Sequence, residues 1–451
     1  MFCTESSRKM GKEEGAPLLT KSEEENHGVV TPLKSAFWLE FKKVGSMAAP
    51  MVAVTVSQYL LQVVSLMMVG HIGILASFSG VAIATSFAEV TGFGVLLGMA
   101  GALETLCGQT YGAEDFRKIG NYTCCAICTL TLVCVPITLI WIFTDKILLL
   151  FGQEPEISHA AREYCMCLIP ALYGYAVLQS LIRYFQTQSM IFPMVFSSIA
   201  VLCLHVPICW GLVFKLGMGH VGAAFAIAIS YWLNVIGLGL YMNYSPACEK
   251  TKIVFSSSAL LSIAEFFRFA IPSGLMFCFE WWSFELLTLL AGLLPNPQLE
   301  TSILSVCLNT TTLHYFIPYA IGASASTRVS NELGAESPKA AQDMVPFLCV
   351  SVTADSLIGV LSGIARGGGF QKTGAYVNLG AYYLVGIPIA LVLGFVLHLN
   401  AKGLWIGVLT GSILQAIILA VVTVVTDWEK EAWKARERIL EKSIKAHDGL
   451  L

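Results

Sequence analysis

Charge is what this sequence has least of. Only 13% of its 451 residues are Asp, Glu, Lys or Arg, whereas an ordinary soluble domain carries about 25%. The remaining charge is nearly balanced, with 27 basic and 30 acidic residues, which excludes the strongly basic surface of a nucleic-acid-binding protein. Fourteen cysteines are too dilute in this length for a secreted disulfide scaffold. No nucleophile–base or metal-ligand constellation is present, so we do not expect an enzyme.

Long apolar runs take the place of the missing charge. The chain is 56% hydrophobic with a mean hydropathy of +0.70, and each membrane crossing needs about 20 apolar residues. Eleven runs are long enough: 45–69, 78–102, 119–143, 157–181, 190–214, 220–243, 266–293, 302–327, 344–365, 376–399 and 403–426. Because they lack the alternating ten-residue pattern of barrel strands, we predict an all-α polytopic membrane protein.

The two ends are the polar parts of the chain. Residues 1–41 have no apolar h-region after the first methionine, so we expect a disordered cytosolic tail and no cleavable signal peptide. Within it, residues 14–19 either form an acidic dileucine sorting signal or contain two leucines by chance. Residues 427–451 mix charge with Trp428 and Trp433, a pattern typical of a cytosolic amphipathic helix at the membrane interface.

An internal repeat is visible, with a gap in its second copy. Gly112-Ala-Glu114 recurs as Gly334-Ala-Glu336, and we call the difference between their residue numbers the long offset. Pro207-Ile208 recurs as Pro388-Ile389, and we call this smaller difference the short offset. The second copy is therefore shorter by roughly 40 residues, which is the length of one crossing and its loop. The loss lies between Ala335 and Met344, where the first copy has the helix 119–143. We predict that one transmembrane helix is missing from the second copy.

The distribution of basic residues supports the same twelve-helix frame. With a cytosolic N-terminus, most lysines and arginines fall in cytosolic loops, but a single crossing at 344–365 would place Arg366 and Lys372 outside. The lost helix must either invert everything downstream or force a span to re-enter. We predict two six-helix lobes in parallel repeat, the N-terminal lobe at 42–250 and the C-terminal lobe at 251–426, with the binding site between them.

Acidic residues inside the spans are the first functional candidates, because burying a charge in the bilayer is costly. Glu280 and Asp355 make the second copy acidic, whereas the position equivalent to Glu280 in the first copy is Gln58. We therefore predict proton or cation coupling at Glu280 and Asp355. Lysine and arginine are absent from the span centres, and we expect Glu104 to lie near a solvated helix end in a loop-anchoring role.

Further polar and aromatic residues could line a central cavity: Glu285, Asn309, Gln58, Trp281, Trp282, Tyr315 and Tyr319. Aromatic faces attract cations, although packing or interface anchoring would also explain these rings. Glu280 and Glu285 are about 140° apart around a helix, so we expect only one, Glu280, to point into the cavity centre. Cys125-x-x-Cys128 has no companion pair, and no metal site is expected.

Four motifs resemble the plant-type multidrug and toxic compound extrusion (MATE, DETOXIFICATION) transporters. They are Ala102-Leu-Glu-Thr-Leu-Cys-Gly-Gln-Thr-Tyr-Gly-Ala113, Pro295-Asn-Pro-Gln-Leu-Glu-Thr301, Arg328-Val-Ser-Asn-Glu-Leu-Gly-Ala335 and Gly363-Ile-Ala-Arg-Gly-Gly-Gly-Phe-Gln371. The resemblance extends over residues 35–426. It implies two six-helix lobes around a V-shaped cavity, and export of organic cations, flavonoids, alkaloids or other metabolites in exchange for protons.

The resemblance also implies roles for individual residues. The family's acids in the C-terminal lobe match Glu280 and Asp355, and its polar asparagine of the eighth helix matches Asn309. This chain departs from the family at Glu89, where a small or amide residue is usual, and in lacking the ninth helix. We expect a monomer in the vacuolar or plasma membrane, with small organic substrates, protons and lipid as partners and no cofactor beyond the proton gradient.

Two functions follow from these observations. The first is proton-coupled antiport, in which protonation of Glu280 and Asp355 releases the substrate. The alternative is a non-transporting truncated isoform that is unstable or inhibits full-length partners, because one helix is missing. A lipid flippase would need a cationic groove, which the sequence does not show.

Overall fold

The computed structural model describes residues 33–253, 262–350 and 354–448, and these residues are almost entirely helical. Residues 1–32 of the tail predicted at 1–41, with the predicted sorting signal at 14–19, lie outside the described residues, whereas residues 33–41 are helical and not disordered. The long apolar runs form helices because only a helix satisfies every backbone hydrogen bond within one segment in lipid.

The N-terminal lobe contains seven helices within the described ranges. They are α1 (Leu33–Gly70), α2 (Ala76–Gly112), α3 (Phe116–Ile142), α4 (Thr144–Leu150), α5 (Pro155–Thr187), α6 (Phe192–Lys215) and α7 (Gly219–Tyr244). Helix α2 is interrupted by a π-turn at Glu89–Phe93. A 3₁₀ turn at Pro246–Thr251 follows α7.

The C-terminal lobe follows a second set of helices and ends in a polar one. They are α8 (Ile263–Ala291), α9 (Pro297–Gly334), α10 (Pro338–Val350), α11 (Ala354–Gly368), α12 (Gln371–Val396), α13 (Asn400–Val425) and the C-terminal α14 (Trp428–Asp448). Helix α14 packs on α9 and α10 with Trp428 and Ala432 buried, whereas its charged face is exposed.

Nine helices of the described ranges are long and apolar enough to cross a membrane. They are α1 from Lys42, α2, α3, α5, α6, α7, α8, α12 and α13. Helix α9 is 38 residues long and contains the predicted run 302–327, although it is more polar than the others. The prediction of an all-α polytopic membrane protein is therefore confirmed.

The backbone repeats where the sequence does. Left-handed backbone recurs at the long offset, at Glu114 (φ 59°) and Glu336 (φ 56°). It recurs at the short offset, at Gly217 (φ 64°) and His398 (φ 53°). The π-turns at Gly211–Lys215 and Val392–Val396 are also separated by the short offset. Both spacings found in the sequence thus describe one repeated fold.

Within the described residues, the predicted span 344–365 is covered by α10, with 13 residues, and α11, with 15 residues. Residues 351–353 between them lie outside the described residues. At 1.5 Å per residue, the described part of each helix is about 20 Å long, which is less than the roughly 30 Å hydrocarbon core.

Helix α11 runs parallel to α9. A Cβ on Gly359 would lie 2.6 Å from the Pro318 carbonyl oxygen, and one on Gly363 would overlap that of Gly322. Residue numbers therefore increase in the same direction along both helices. Because the chain leaves α9 at its C-terminal end, it must travel back through residues 335–353 before α11 can begin.

Both ends of the α10–α11 pair lie on one face of the bundle. Glu336, just before α10, pairs with Arg436 of α14 at 3.1 Å. Gly369, just after α11, lies against Arg438 of the same helix. We call this surface the α14 face. Both ends of the segment therefore lie on the same face, as expected for the re-entrant one of the two alternatives for a lost helix.

The hydrophobic core differs between the lobes. One continuous cluster of buried residues extends through the N-terminal lobe and continues into α8 and α9, where it includes Phe266 and Ala323. Two further clusters lie in the C-terminal lobe. One is built mainly from α9, α10, α11 and α14, and the other mainly from α8, α12 and α13.

Candidate functional site

A narrow cavity lies between α8, α9 and α11 in the C-terminal lobe. Its volume of about 10 Å³ has room for roughly one water molecule. Its lining residues are Met276, Phe277, Glu280, Tyr315, Tyr319, Gly359, Ser362 and Arg366. Each helix contributes residues three or four positions apart, because that spacing places side chains on one helix face. The structure thus brings together Glu280, Tyr315 and Tyr319, three of the predicted residues.

The carboxylate of Glu280 is held by a buried amide. The Nε2 of Gln415 on α13 donates to Glu280 Oε2 at 3.1 Å and to Asn378 Oδ1 at 2.9 Å. The hydroxyl of Tyr382 donates to Gln415 Oε1 at 2.7 Å. Asn378 in turn donates to the Met276 carbonyl at 2.7 Å. This network, which we call the Gln415 network, fixes the orientation of Glu280 from three helices.

Sequence reasoning missed the Gln415 network because its members are uncharged. The repeat could have revealed it, since Ser197 and Asn234 precede Asn378 and Gln415 by the short offset. In the N-terminal lobe, Ser197 donates to Asn234 Oδ1 at 2.6 Å. Both lobes therefore join the same pair of helices by a polar contact at the same level.

The predicted tryptophans lie beside the cavity and not in its lining. Trp281 stacks on Phe277 with ring centroids 5.7 Å apart and meets Tyr315 edge-on at 5.2 Å. Trp282 donates its indole N–H to the Val90 carbonyl of α2 at 3.1 Å. Trp281 therefore supports the tyrosine wall, and Trp282 joins the two lobes.

The other predicted polar residues lie outside this cavity. Gln58 accepts a hydrogen bond from Gln179 at 3.4 Å within the N-terminal lobe. Glu285 is half-buried further along α8 and interacts electrostatically with Glu89 of α2. Glu89 accepts a hydrogen bond from Gln62 at 2.5 Å. These contacts form a second polar region that faces the C-terminal lobe from α1 and α2.

Two predicted site residues cannot be placed in detail. Asp355 belongs to α11 and Asn309 to α9, but their side chains lie outside the described part of the structure. Their coupling and cavity-lining roles stay predictions.

A buried ionic cluster joins the lobes next to the cavity. Glu104 of α2 is fully buried, and its two oxygens pair with Arg183 Nη1 at 3.1 Å and Arg366 Nε at 2.9 Å. Arg183 is 2% exposed and also donates to the hydroxyl of Tyr319 on α9. We call Glu104, Arg183, Tyr319 and Arg366 the inter-lobe seam.

The seam corrects one expectation from the sequence. Glu104 is not near solvent, because two arginines from other helices enclose its carboxylate. Arg366 reaches the lobe interface because α11, which carries it, lies beside α9. Further contacts extend the interface: Gln109 donates to the Gly367 carbonyl at 3.2 Å, and Gln186 to the Ala323 carbonyl at 3.1 Å.

Neither a metal site nor a histidine-based site competes with this cavity in the described ranges. No group of three or more His, Cys, Asp or Glu side chains there could hold a metal ion. His205, the buried histidine of α6, is satisfied by Ser65 at 3.1 Å and Ser230 at 2.8 Å. It therefore joins helices within the N-terminal lobe.

Comparison with known proteins gives a single family. The MatE family model matches residues 50–211 and 272–345. Protein DETOXIFICATION 9 of Arabidopsis thaliana is 50% identical, covering 92% of this chain and 95% of its own length. Protein DETOXIFICATION 14 of the same plant is 47% identical, with 95% and 96% covered.

Solved structures agree with the sequence comparison. The crystal structure of the eukaryotic MATE transporter AtDTX14 matches with a TM-score of 0.86 at 47% identity, covering 89% of this chain and 99% of that one. An outward-facing multidrug resistance MATE family transporter matches with a TM-score of 0.74 at 14% identity, covering 88% and 96%. The second match concerns the fold alone.

The alignment lengths agree with a shortened chain. The match to DETOXIFICATION 9 extends over 457 residues although it covers only 92% of this 451-residue chain. The alignment is thus longer than the part of this chain that it covers, so the relative has positions without a counterpart here. This excess agrees with the difference in length between the two repeat copies.

Proposed function

This chain belongs to the MatE family, and on that premise we propose that it is a secondary active transporter that exports organic cations, xenobiotics or secondary metabolites by antiport with protons. The observation that carries the proposal is Glu280, a half-buried carboxylate in a cavity of the C-terminal lobe. Burying a carboxylate inside a membrane protein costs free energy that an apolar packing residue does not cost. Such a carboxylate is therefore expected to have a function, such as exchanging a proton or binding a cation.

The surroundings of Glu280 suit this exchange. The Gln415 network holds the carboxylate in one orientation, while the cavity leaves space for a water-sized molecule beside it. Tyr315 and Tyr319 offer ring faces to a cation. The ionised carboxylate attracts a cationic substrate, and a proton bound in its place cancels that attraction and releases the substrate.

Asp355 is the second coupling residue of the proposal. It lies on α11, the helix that also carries Ser362 and Arg366 to the cavity. The family resemblance gives it the same role as Glu280. Glu285 and Asn309 stay candidates for contact with the substrate.

We place the α14 face in the cytosol. Lys118, Arg328, Lys339 and Lys372 lie on that side of the bundle, close to α14 or to the helix ends that it covers. Basic residues near membrane helices favour the cytosolic side. The N-terminus is then cytosolic, and the transporter works as a monomer in the vacuolar or plasma membrane.

Efflux of a fluorescent organic cation from efflux-deficient cells under an imposed pH gradient tests the proposal. Glu280→Gln keeps the size and the hydrogen bond to Gln415 but cannot exchange a proton, so we expect gradient-driven efflux to fall to background. Glu163→Gln is the matched control, because the Glu163 side chain is 44% exposed and pairs with His220 away from the cavity.

Membrane abundance of every variant is measured in parallel. Efflux that persists in Glu280→Gln would contradict the coupling role. Well-inserted parent protein without any efflux would contradict antiport and favour the non-transporting isoform. Co-expression with a full-length relative would then show whether the chain lowers that relative's activity.

A further inference from the structure

Arg366 belongs to two sites at once. It lines the cavity that contains Glu280, and its guanidinium pairs with Glu104 in the other lobe at 2.9 Å. Its backbone carbonyl also accepts a hydrogen bond from Thr105 of α2. A change of charge in the cavity therefore acts on a residue that connects the lobes.

The inter-lobe seam has one positive charge too many. Glu104 supplies one negative charge, whereas Arg183 and Arg366 supply two positive charges, and all three side chains are largely buried. Arg183 belongs to the N-terminal lobe and Arg366 to the C-terminal lobe, and the two cations repel each other across the interface. Glu104 attracts both arginines, but the excess positive charge is costly to bury where water does not solvate it.

Glu280 supplies the missing negative charge. It lies across the cavity from Arg366 and interacts with it electrostatically. When Glu280 is ionised, the charges of Glu104, Glu280, Arg183 and Arg366, the charged side chains described in the seam and the cavity, sum to zero. When Glu280 is protonated, one buried positive charge has no counterpart among these side chains, and the cost of keeping that charge out of water favours opening of the lobes at the α14 face.

We propose that Arg366 is the positioning residue through which the charge of Glu280 controls contact between the lobes at the α14 face. Ionised Glu280 keeps this face closed, and protonated Glu280 favours its opening. The inference rests on the proposed function and deepens it, because it gives the proton-loaded transporter a physical reason to open towards the cytosol.

The described groups around Arg366 and Glu280 include one further acid and one further arginine. Arg366 faces Glu104 of α2, Arg183 of α5 and Tyr319 of α9. Across the cavity, Glu280 faces Tyr315 of α9 and Gln415 of α13. Among these described side chains, Glu104 and Glu280 are the acids and the two arginines are the bases. Ser362, which is 6% exposed and without a hydrogen-bond partner, leaves a polar position in the cavity for a bridging water.

Distances between the lobes test the proposal directly. Spin labels are attached through unnatural amino acids at Arg117 of α3 and Lys372 of α12, both exposed at the α14 face, so that native cysteines stay unlabelled. Pulsed electron paramagnetic resonance then measures their separation in lipid nanodiscs over a series of pH values. We expect the parent protein to shift from a short to a long distance as the pH falls, and Glu280→Gln to show the long distance throughout.

Substitution of either arginine should remove this response. Arg366→Gln and Arg183→Gln each leave a balanced pair with Glu104, so we expect the distance to be independent of pH and Glu280→Gln to add nothing in either background. Arg366→Lys keeps the charge and should keep the shift. A full parent-like shift in Arg366→Gln, or its loss in Arg366→Lys, would overturn the proposal.

The same variants separate this inference from the proposed function. A pH-dependent distance without gradient-driven efflux would refute antiport and support the role of Arg366. Efflux that depends on Glu280 together with a pH-independent distance would support antiport and refute the role of Arg366.

Discussion

The second helix of the N-terminal lobe and its counterpart in the C-terminal lobe differ in what covers them. Val81 and Ala84 of α2 are fully buried, whereas Ile303 and Val306, their equivalents on α9 at the long offset, are 46% and 67% exposed. In the N-terminal lobe the first half of α5 covers α2, with Cys165 Sγ 3.9 Å from the Ala84 carbonyl oxygen. In the C-terminal lobe, α10 corresponds to the first half of α5. It lies at the α14 face and does not cover α9 at Ile303 and Val306.

At the α14 face the halves remain symmetric. A Cβ on Gly112 would overlap the Asn331 carbonyl oxygen, and one on Gly334 would overlap that of Gln109. The two contacts are equivalent, because Gly112 and Gly334, and likewise Gln109 and Asn331, are separated by the long offset. The shortening of the second copy therefore affects the outer half of one lobe and leaves the contact between the lobes in place.

The chemistry of the two halves differs where function is proposed. Glu280 has Gln58 as its counterpart, Glu104 has Ser326, and Arg183 has Ile364. Each of these positions occurs in both copies of the repeat, but the charged residue is present in only one of them. The symmetric frame thus carries an asymmetric set of charges.

Removal of Glu104 should have the largest effect on this comparison. Glu104→Gln leaves two buried arginines unpaired, and breaking a buried ion pair in this way costs about 3–5 kcal/mol. We expect a large fall in thermal stability and in membrane abundance. Glu163→Gln changes a carboxylate that is 44% exposed and pairs with His220 away from the seam, and it serves as control; equal stability losses in both would contradict the account.

Enlarging a side chain should reveal the difference in cover between α2 and α9. Ala84→Val inserts two methyl groups into packed surroundings, and overpacking costs about 1–3 kcal/mol. The reverse change at the equivalent position, Val306→Ala, removes atoms from an exposed side chain and should be within about 0.5 kcal/mol of the parent. Thermal unfolding in detergent measures both, and a larger loss for Val306→Ala would show that α9 is covered after all.

The two polar helix contacts should differ in importance for transport. Gln415→Leu removes the hydrogen bonds to Glu280 and Asn378, and a bond to a charged group is worth about 1.5–3 kcal/mol. We therefore expect efflux to fall by about tenfold at similar abundance. Asn234→Leu changes the equivalent contact of the N-terminal lobe, where no coupling carboxylate is attached, so efflux that falls equally there would refute a special role for Gln415.

Much of the fold follows from local sequence, because Gly112-Ala-Glu114 and its copy mark a left-handed turn that few residues adopt. Glu280 was predictable because an acid in an apolar helix is rare. Gln415 and Asn378 gave a weaker signal, since uncharged amides are cheaper to bury. Re-entry was one of two alternatives that the sequence left open, because hydropathy does not record how far the chain must travel between α9 and α11.

The sidedness of the residues that flank the re-entrant pair tests most directly whether the shortened chain keeps its frame. Azide-bearing amino acids are placed at Lys339, before most of α10, and at Lys372, after α11, both exposed, and an impermeant alkyne is added to one side of sealed vesicles. Labelling of both positions from the same side is the result that the structure predicts. Labelling from opposite sides would show that the segment crosses the membrane once and that the second half is inverted.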